Sequence, residues 1–67
     1  MTWYTGLYGS WTKGDCRVHY LEGTYNRKEM FARAQEVANE KNEVVTILAE
    51  TGSVSGLRTK IYKVTPQ

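Results

Sequence analysis

Residues 26–42 carry the strongest constraint in the chain, a lone amphipathic helix with start and stop signals at its two ends. Asn26 has the short polar side chain that accepts from the free N–H groups of a first turn, and Glu29 three residues on completes the pattern of a capping box. Tyr25 and Met30 flank it with the spacing of a hydrophobic staple. Met30, Phe31, Ala34, Val37, Ala38 and the stem of Lys41 recur at helical spacing and form one apolar stripe, with Lys28, Glu29, Gln35, Glu36, Asn39 and Glu40 mainly on the outer side. Glu29 and Arg33 stand at i,i+4, an exposed pair worth about 0.3 kcal/mol. Asn42 supplies the left-handed residue that stops the helix.

Strand signals lie on both sides of it. Residues 3–11 are rich in aromatics and Thr, types that suit a pleated, half-buried surface. Trp3, Thr5, Leu7, Gly9 and Trp11 share one face of this strand, and Tyr4, Gly6, Tyr8 and Ser10 the other. Gly6 and Gly9 weaken the strand and mark a bulge, a close backbone approach or a strand shortened to its second half. Thr12-Lys13-Gly14-Asp15 has the composition of a hairpin loop. Residues 16–21 then alternate Cys16, Val18 and Tyr20 with Arg17, His19 and Leu21. After the helix come a β-branched strand over 44–50, a loop over 51–56 and a last strand over 57–64. Pro66 ends the ladder.

The order strand, strand, helix, strand, strand predicts an α+β fold of two layers, ββαββ, with one helix packed on a four-stranded antiparallel sheet. The chain of 67 residues makes a single domain, 1–67, and folding buries only about 60% of the unfolded surface at this size. One helix covers one face of the sheet, which leaves the other to water, a partner or a second copy. Placing Trp3, Leu7, Trp11, Val18 and Ile61 toward the helix puts Tyr4, Tyr8, Arg17, His19, Arg58, Lys60 and Tyr62 on the open face. These seven are the candidate partner-binding or nucleic-acid-binding residues.

The counts narrow the chemistry. Net charge is +2, and residues 44–67 are the most basic part, with Arg58, Lys60 and Lys63 against Glu50. So small a net charge does not by itself argue for nucleic acid, whose affinity rests on many neutralised phosphates. The longest mainly apolar stretch falls far short of the ~20 residues a membrane helix needs, and the start does not read as a secretory signal. A cytoplasmic location and no membrane partner are expected. Cys16 is the only cysteine, so no internal disulfide forms. Cys16 and His19 stand three apart in a strand and point to opposite faces, which argues against a Cys–His nucleophile pair. One Cys and one His do not make a structural zinc site. Gly52-Ser53-Val54-Ser55-Gly56 lacks the Gly-Lys-Ser/Thr ending of a P-loop and leads into a strand. No catalytic residues, metal or cofactor are expected.

The corner Gly23-Thr24-Tyr25-Asn26-Arg27-Lys28-Glu29, followed by Ala32, Ala34 and Ala38, resembles that of small, largely uncharacterised ββαββ domains of bacteria and phages. It is also similar to the corner of certain plant and integrase arm-type DNA-binding domains, whose sheet enters the major groove. Those place three strands before the helix where this chain has two before and two after, and none of their DNA-reading residues is carried over. The resemblance and the pattern together imply a non-enzymatic binding or regulatory module that acts by protein contact or self-association, as a homodimer, through the open sheet face. The alternative is a nucleic-acid-binding module whose aromatic and basic sheet face stacks bases on rings while Lys and Arg follow the phosphates.

Overall fold

The structure, a computed structural model, describes residues 1–12, 14–53 and 56–67, without the side chains of Ser10, Trp11, Thr12, Asp15, Cys16 and Ser53. Alternating side chains and turn residues produce four strands: β1 (Thr2–Thr12), β2 (Asp15–Thr24), β3 (Val45–Ser53) and β4 (Gly56–Val64), with helix α1 (Arg27–Lys41) between β2 and β3. They form one antiparallel sheet in the order β2-β1-β3-β4, so the expected ββαββ α+β fold is present. β2 and β3 run in the same direction on either side of β1, and α1 is the crossover that joins them.

Both ends of α1 follow from the sequence. The Asn26 side chain accepts from the Glu29 N–H at 3.1 Å, and Asn42 takes φ 54 with its backbone N–H donating to the Ala38 carbonyl. The capping box is only half formed. The Asn26 N–H donates to the Thr24 hydroxyl at 3.1 Å, while the Glu29 carboxylate pairs with Arg33. The staple is absent as well, because Tyr25 is exposed and sets its ring against Trp3, with centroids 4.7 Å apart. Beyond β4, the Gln35 amide donates to the Thr65 carbonyl and the Gln67 N–H donates to the Asn39 side chain, which ties the tail to the helix.

Strand ends are longer than the sequence signals. Thr12 pairs with Asp15 across a turn in which Gly14 has φ 95, and Thr51, Gly52 and Ser53 continue the β3 ladder opposite Arg58, Leu57 and Gly56. Lys13, Val54 and Ser55 lie outside the described residues. The bulge expected near the first glycines falls between Tyr4 and Gly6, and Gly9 takes φ 118 where a Cβ would meet the Arg17 carbonyl oxygen at 1.9 Å.

The buried core consists of Tyr4, Met30, Ala34, Ala38, Val45, Ile47, Ala49 and Val64, with Tyr8, Leu21, Phe31, Val37 and Tyr62 packed against it. This reverses the expected facing of the sheet. Tyr4, Gly6 and Tyr8 lie under the helix, and Trp3, Leu7, Val18 and Ile61 lie on the uncovered side, while the Trp11 side chain is outside the described residues. The physical reason is size and register. The inner stripe of α1 is Met30, Ala34 and Ala38, all fully buried, and on the sheet face under it Gly6 makes room for Leu21, whose side chain a Cβ there would meet at 2.7 Å and which packs against the core. Strand β3 offers Val45, Ile47 and Ala49 on one side but Thr46, Leu48 and Glu50 on the other, and pairing Tyr4 with Ala49 carries β1 with it. Among the described residues, no helix is long and apolar enough to cross a membrane.

Candidate functional site

The seven sequence-derived candidates share one face, as alternation requires, but it is the face on which the helix lies. They are brought together in two groups rather than one. α1 runs between them, so Tyr8, Arg17 and His19 line a cleft at its C-terminal end, and Tyr4, Arg58, Lys60 and Tyr62 line a cleft at its N-terminal end.

The first cleft, of about 340 Å³, is completed by Gly9, Lys41 and Glu43. The His19 imidazole stacks on Tyr8 with centroids 5.1 Å apart and planes 24° from parallel. Lys41, in the last turn, places its ammonium where the helix dipole favours a cation, and Glu43 brings a carboxylate to the same wall. The lining is therefore of mixed charge.

The second cleft, of about 290 Å³, differs in sign. Its floor is Ala49 and its walls are Thr2, Tyr4, Arg27, Thr51, Arg58, Lys60 and Tyr62, with no carboxylate among them. Three cations thus converge from two elements: Arg58 and Lys60 from alternate positions of β4, and Arg27 from the first residue of α1. Among the described residues, no carboxylate pairs with Arg27. Its guanidinium lies 5.0 Å from the Phe31 ring centroid and 5.2 Å from that of Tyr62, and the two rings meet edge to face at 5.5 Å. Hydrogen bonding to the Tyr62 hydroxyl, and secondly to that of Tyr4, raises its pKa above the ordinary arginine value. Also lining the cleft, the cross-strand neighbours Thr2 and Thr51 have hydroxyls 2.8 Å apart that share one hydrogen bond. Tyr4 is a buried wall of this cleft, not an exposed platform.

The uncovered face has the opposite character. The register lines up Tyr20, Leu7, Thr46 and Lys63 in one row, Thr5, Leu48 and Ile61 in the next, then Trp3, Glu50 and Thr59, and finally Gly52 and Leu57. Tyr20, Leu57 and Ile61 are 72%, 67% and 64% exposed, and Trp3 is 38% exposed. The Trp3 indole lies across Gly23 and meets Tyr25 at the sheet edge. Glu50 and Lys63 are the charged members of these rows, of opposite sign and on either side of the central one.

Sequence reading missed Arg27, Thr2 and Thr51 in the cationic cleft, and Leu48, Leu57 and Tyr20 on the uncovered face. The alternation of β3 carried the signal for the second group, because its apolar and polar sides are distinct. Nothing in the sequence marked Arg27 as a neighbour of β4, since that proximity depends on the helix crossing angle. Among the described residues, no three His, Cys, Asp or Glu side chains group as metal ligands would. No protein-family model, curated protein or solved structure matches the chain.

Proposed function

We propose that this chain is a non-enzymatic association module that pairs with a second copy of itself through the uncovered face of its sheet. The observation that carries the reading is that Trp3, Tyr20, Leu57 and Ile61 are exposed on the uncovered face, with the half-buried Leu7 and Leu48 among them, on a protein whose core is small. Exposed apolar surface of that extent on a small chain is unfavourable in water, and contact with another surface relieves it.

Two features favour a second copy as the occupant. Four strands of nine to eleven residues make a face of roughly 19 Å by 30 Å, so a pair removes on the order of 1,100 Å² from water, enough for a specific interface. The charges also fit an isologous arrangement. A twofold axis in the interface along the Thr5, Leu48, Ile61 row exchanges the rows above and below it, which brings Lys63 of one copy beside Glu50 of the other. Sheets packed in this way are a common solution for two inner faces about 10 Å apart.

The nucleic-acid alternative draws less support. Its seven residues are divided by α1, Tyr4 is buried and the Tyr62 ring is packed against Phe31.

Sedimentation equilibrium from low micromolar to millimolar protein tests the pairing. The expected result is a reversible shift toward twice the chain mass, abolished by Ile61→Glu, an exposed position whose change leaves the circular dichroism of the fold intact. Monomer throughout the range refutes the proposal, and a dimer that Ile61→Glu leaves unchanged shows that the sheet face is not the interface.

A further inference from the structure

We infer that the cleft at the N-terminal end of α1 is a binding site for the phosphoryl group of a small organic phosphate, held by Arg27, Arg58 and Lys60. The site lies on the helix side of the sheet and does not depend on pairing through the other face.

Three observations lead there. First, among the described residues the lining carries three positive charges and no negative one, although the chain as a whole is only +2. Concentrating charge in one recess without a carboxylate raises the energy of the empty site, and a bound anion lowers it. Second, Arg27 is already oriented. Its guanidinium stands over two rings, so it enters an ion pair with less loss of side-chain freedom than an unrestrained arginine. Third, the remaining wall consists of hydroxyls. Tyr4, Tyr62, Thr2 and Thr51 can donate to phosphoryl oxygens, and the Thr2–Thr51 pair exchanges one internal bond for two outward ones.

The charge selects phosphate over carboxylate. A phosphomonoester carries about −1.5 to −2 at neutral pH and three strong acceptor oxygens, which matches three cations converging from two directions. Size favours a small ligand over a polymer, because about 290 Å³ is at the lower end of ordinary ligand cavities, near 300 Å³. Ala49 and the methyl groups of Thr2 and Thr51 give an organic portion an apolar surface to rest on.

The test is an NMR titration of the ¹⁵N-labelled full chain at low salt, with inorganic phosphate, pyrophosphate, a nucleoside 5′-diphosphate and succinate as separate probes. The expected result is saturable shifts at the amides of Thr2, Ala49, Thr51, Arg58 and Lys60. The nucleoside diphosphate should bind at least tenfold more tightly than succinate and more tightly than pyrophosphate. Arg58→Gln with Lys60→Gln, both at exposed strand positions, should weaken it by tenfold or more, while Lys41→Gln in the other cleft leaves it unchanged. Equal affinity for pyrophosphate and the nucleoside diphosphate overturns the organic part of the assignment and leaves a site for the inorganic anion. Shifts that rise linearly without saturation, or that Lys41→Gln reduces as much as the β4 changes, overturn the site. So does a single-stranded oligonucleotide that binds more tightly than every small probe and shifts Tyr8, Arg17 and His19 together with the β4 residues.

Discussion

Replacing Gly23 by alanine probes a place where the uncovered face is locked to the strand–helix corner. A Cβ at this position would stand 2.2 Å from Trp3 Cζ2 and 2.6 Å from Cε2, so the indole has to leave its seat on β2. Its edge contact with Tyr25, at 4.7 Å between centroids, is lost with it. An aromatic pair of that geometry contributes about 0.5–1.5 kcal/mol beyond area burial. Trp3 is 38% exposed, so most of its surface is covered. Returning ~70 Å² of that apolar area to water costs ~2 kcal/mol at 25 cal/mol per Å². The combined loss of about 2–3 kcal/mol is a large share of the ~3–10 kcal/mol expected for a domain of this length. It should lower the thermal midpoint by on the order of 10 °C. The measurement belongs in an Ile61→Glu background, where pairing does not contribute, using urea titration and the Trp3 indole N–H resonance. Loss of stability below about 0.5 kcal/mol, with that resonance unmoved, would refute the account of Gly23 as the seat of the indole.

Two further substitutions test the layers beneath. Ala38→Leu inserts three carbons at a fully buried contact between helix and sheet and should cost about 1–3 kcal/mol by overpacking. A neutral result in urea unfolding would mean that the helix does not rest on small residues as described. Asn26→Ala removes the acceptor for the Glu29 N–H and should cost about 1 kcal/mol. The loss should appear as faster amide exchange confined to the first turn of α1, and uniform exchange along the helix would count against a local cap.

The element order and both helix ends were legible because they depend on neighbours within a few residues. Asn26 and Asn42 act on the backbone next to them, and the strands show their period directly. The facing of the sheet was less legible, since Trp3 and Leu7 look more like core than Tyr4, Gly6 and Tyr8. Hydrophobicity ranks the first set higher, but the available space selects the second. The room that Leu21 takes is left by Gly6, and the helix that buries them presents Ala34 and Ala38, so the information is divided between segments far apart in sequence. The candidate cations and tyrosines share a common face because period two is rigid, but it is the helix face and not the open one expected. Their division into two clefts was not readable, since it depends on where a helix crosses the sheet.

Strand β4 interleaves two incompatible surfaces. Leu57, Thr59 and Ile61 alternate with Arg58, Lys60 and Tyr62 along a single stretch of backbone. One residue inserted after Leu57 would exchange the two sets, turning guanidinium and ammonium groups onto the greasy reverse and an isoleucine into the recess beside Arg27. A single-residue change of length inside this strand therefore has to be absorbed by a bulge if the faces are to be kept, whereas point changes on either side can accumulate independently, so each surface can be altered while the other is kept.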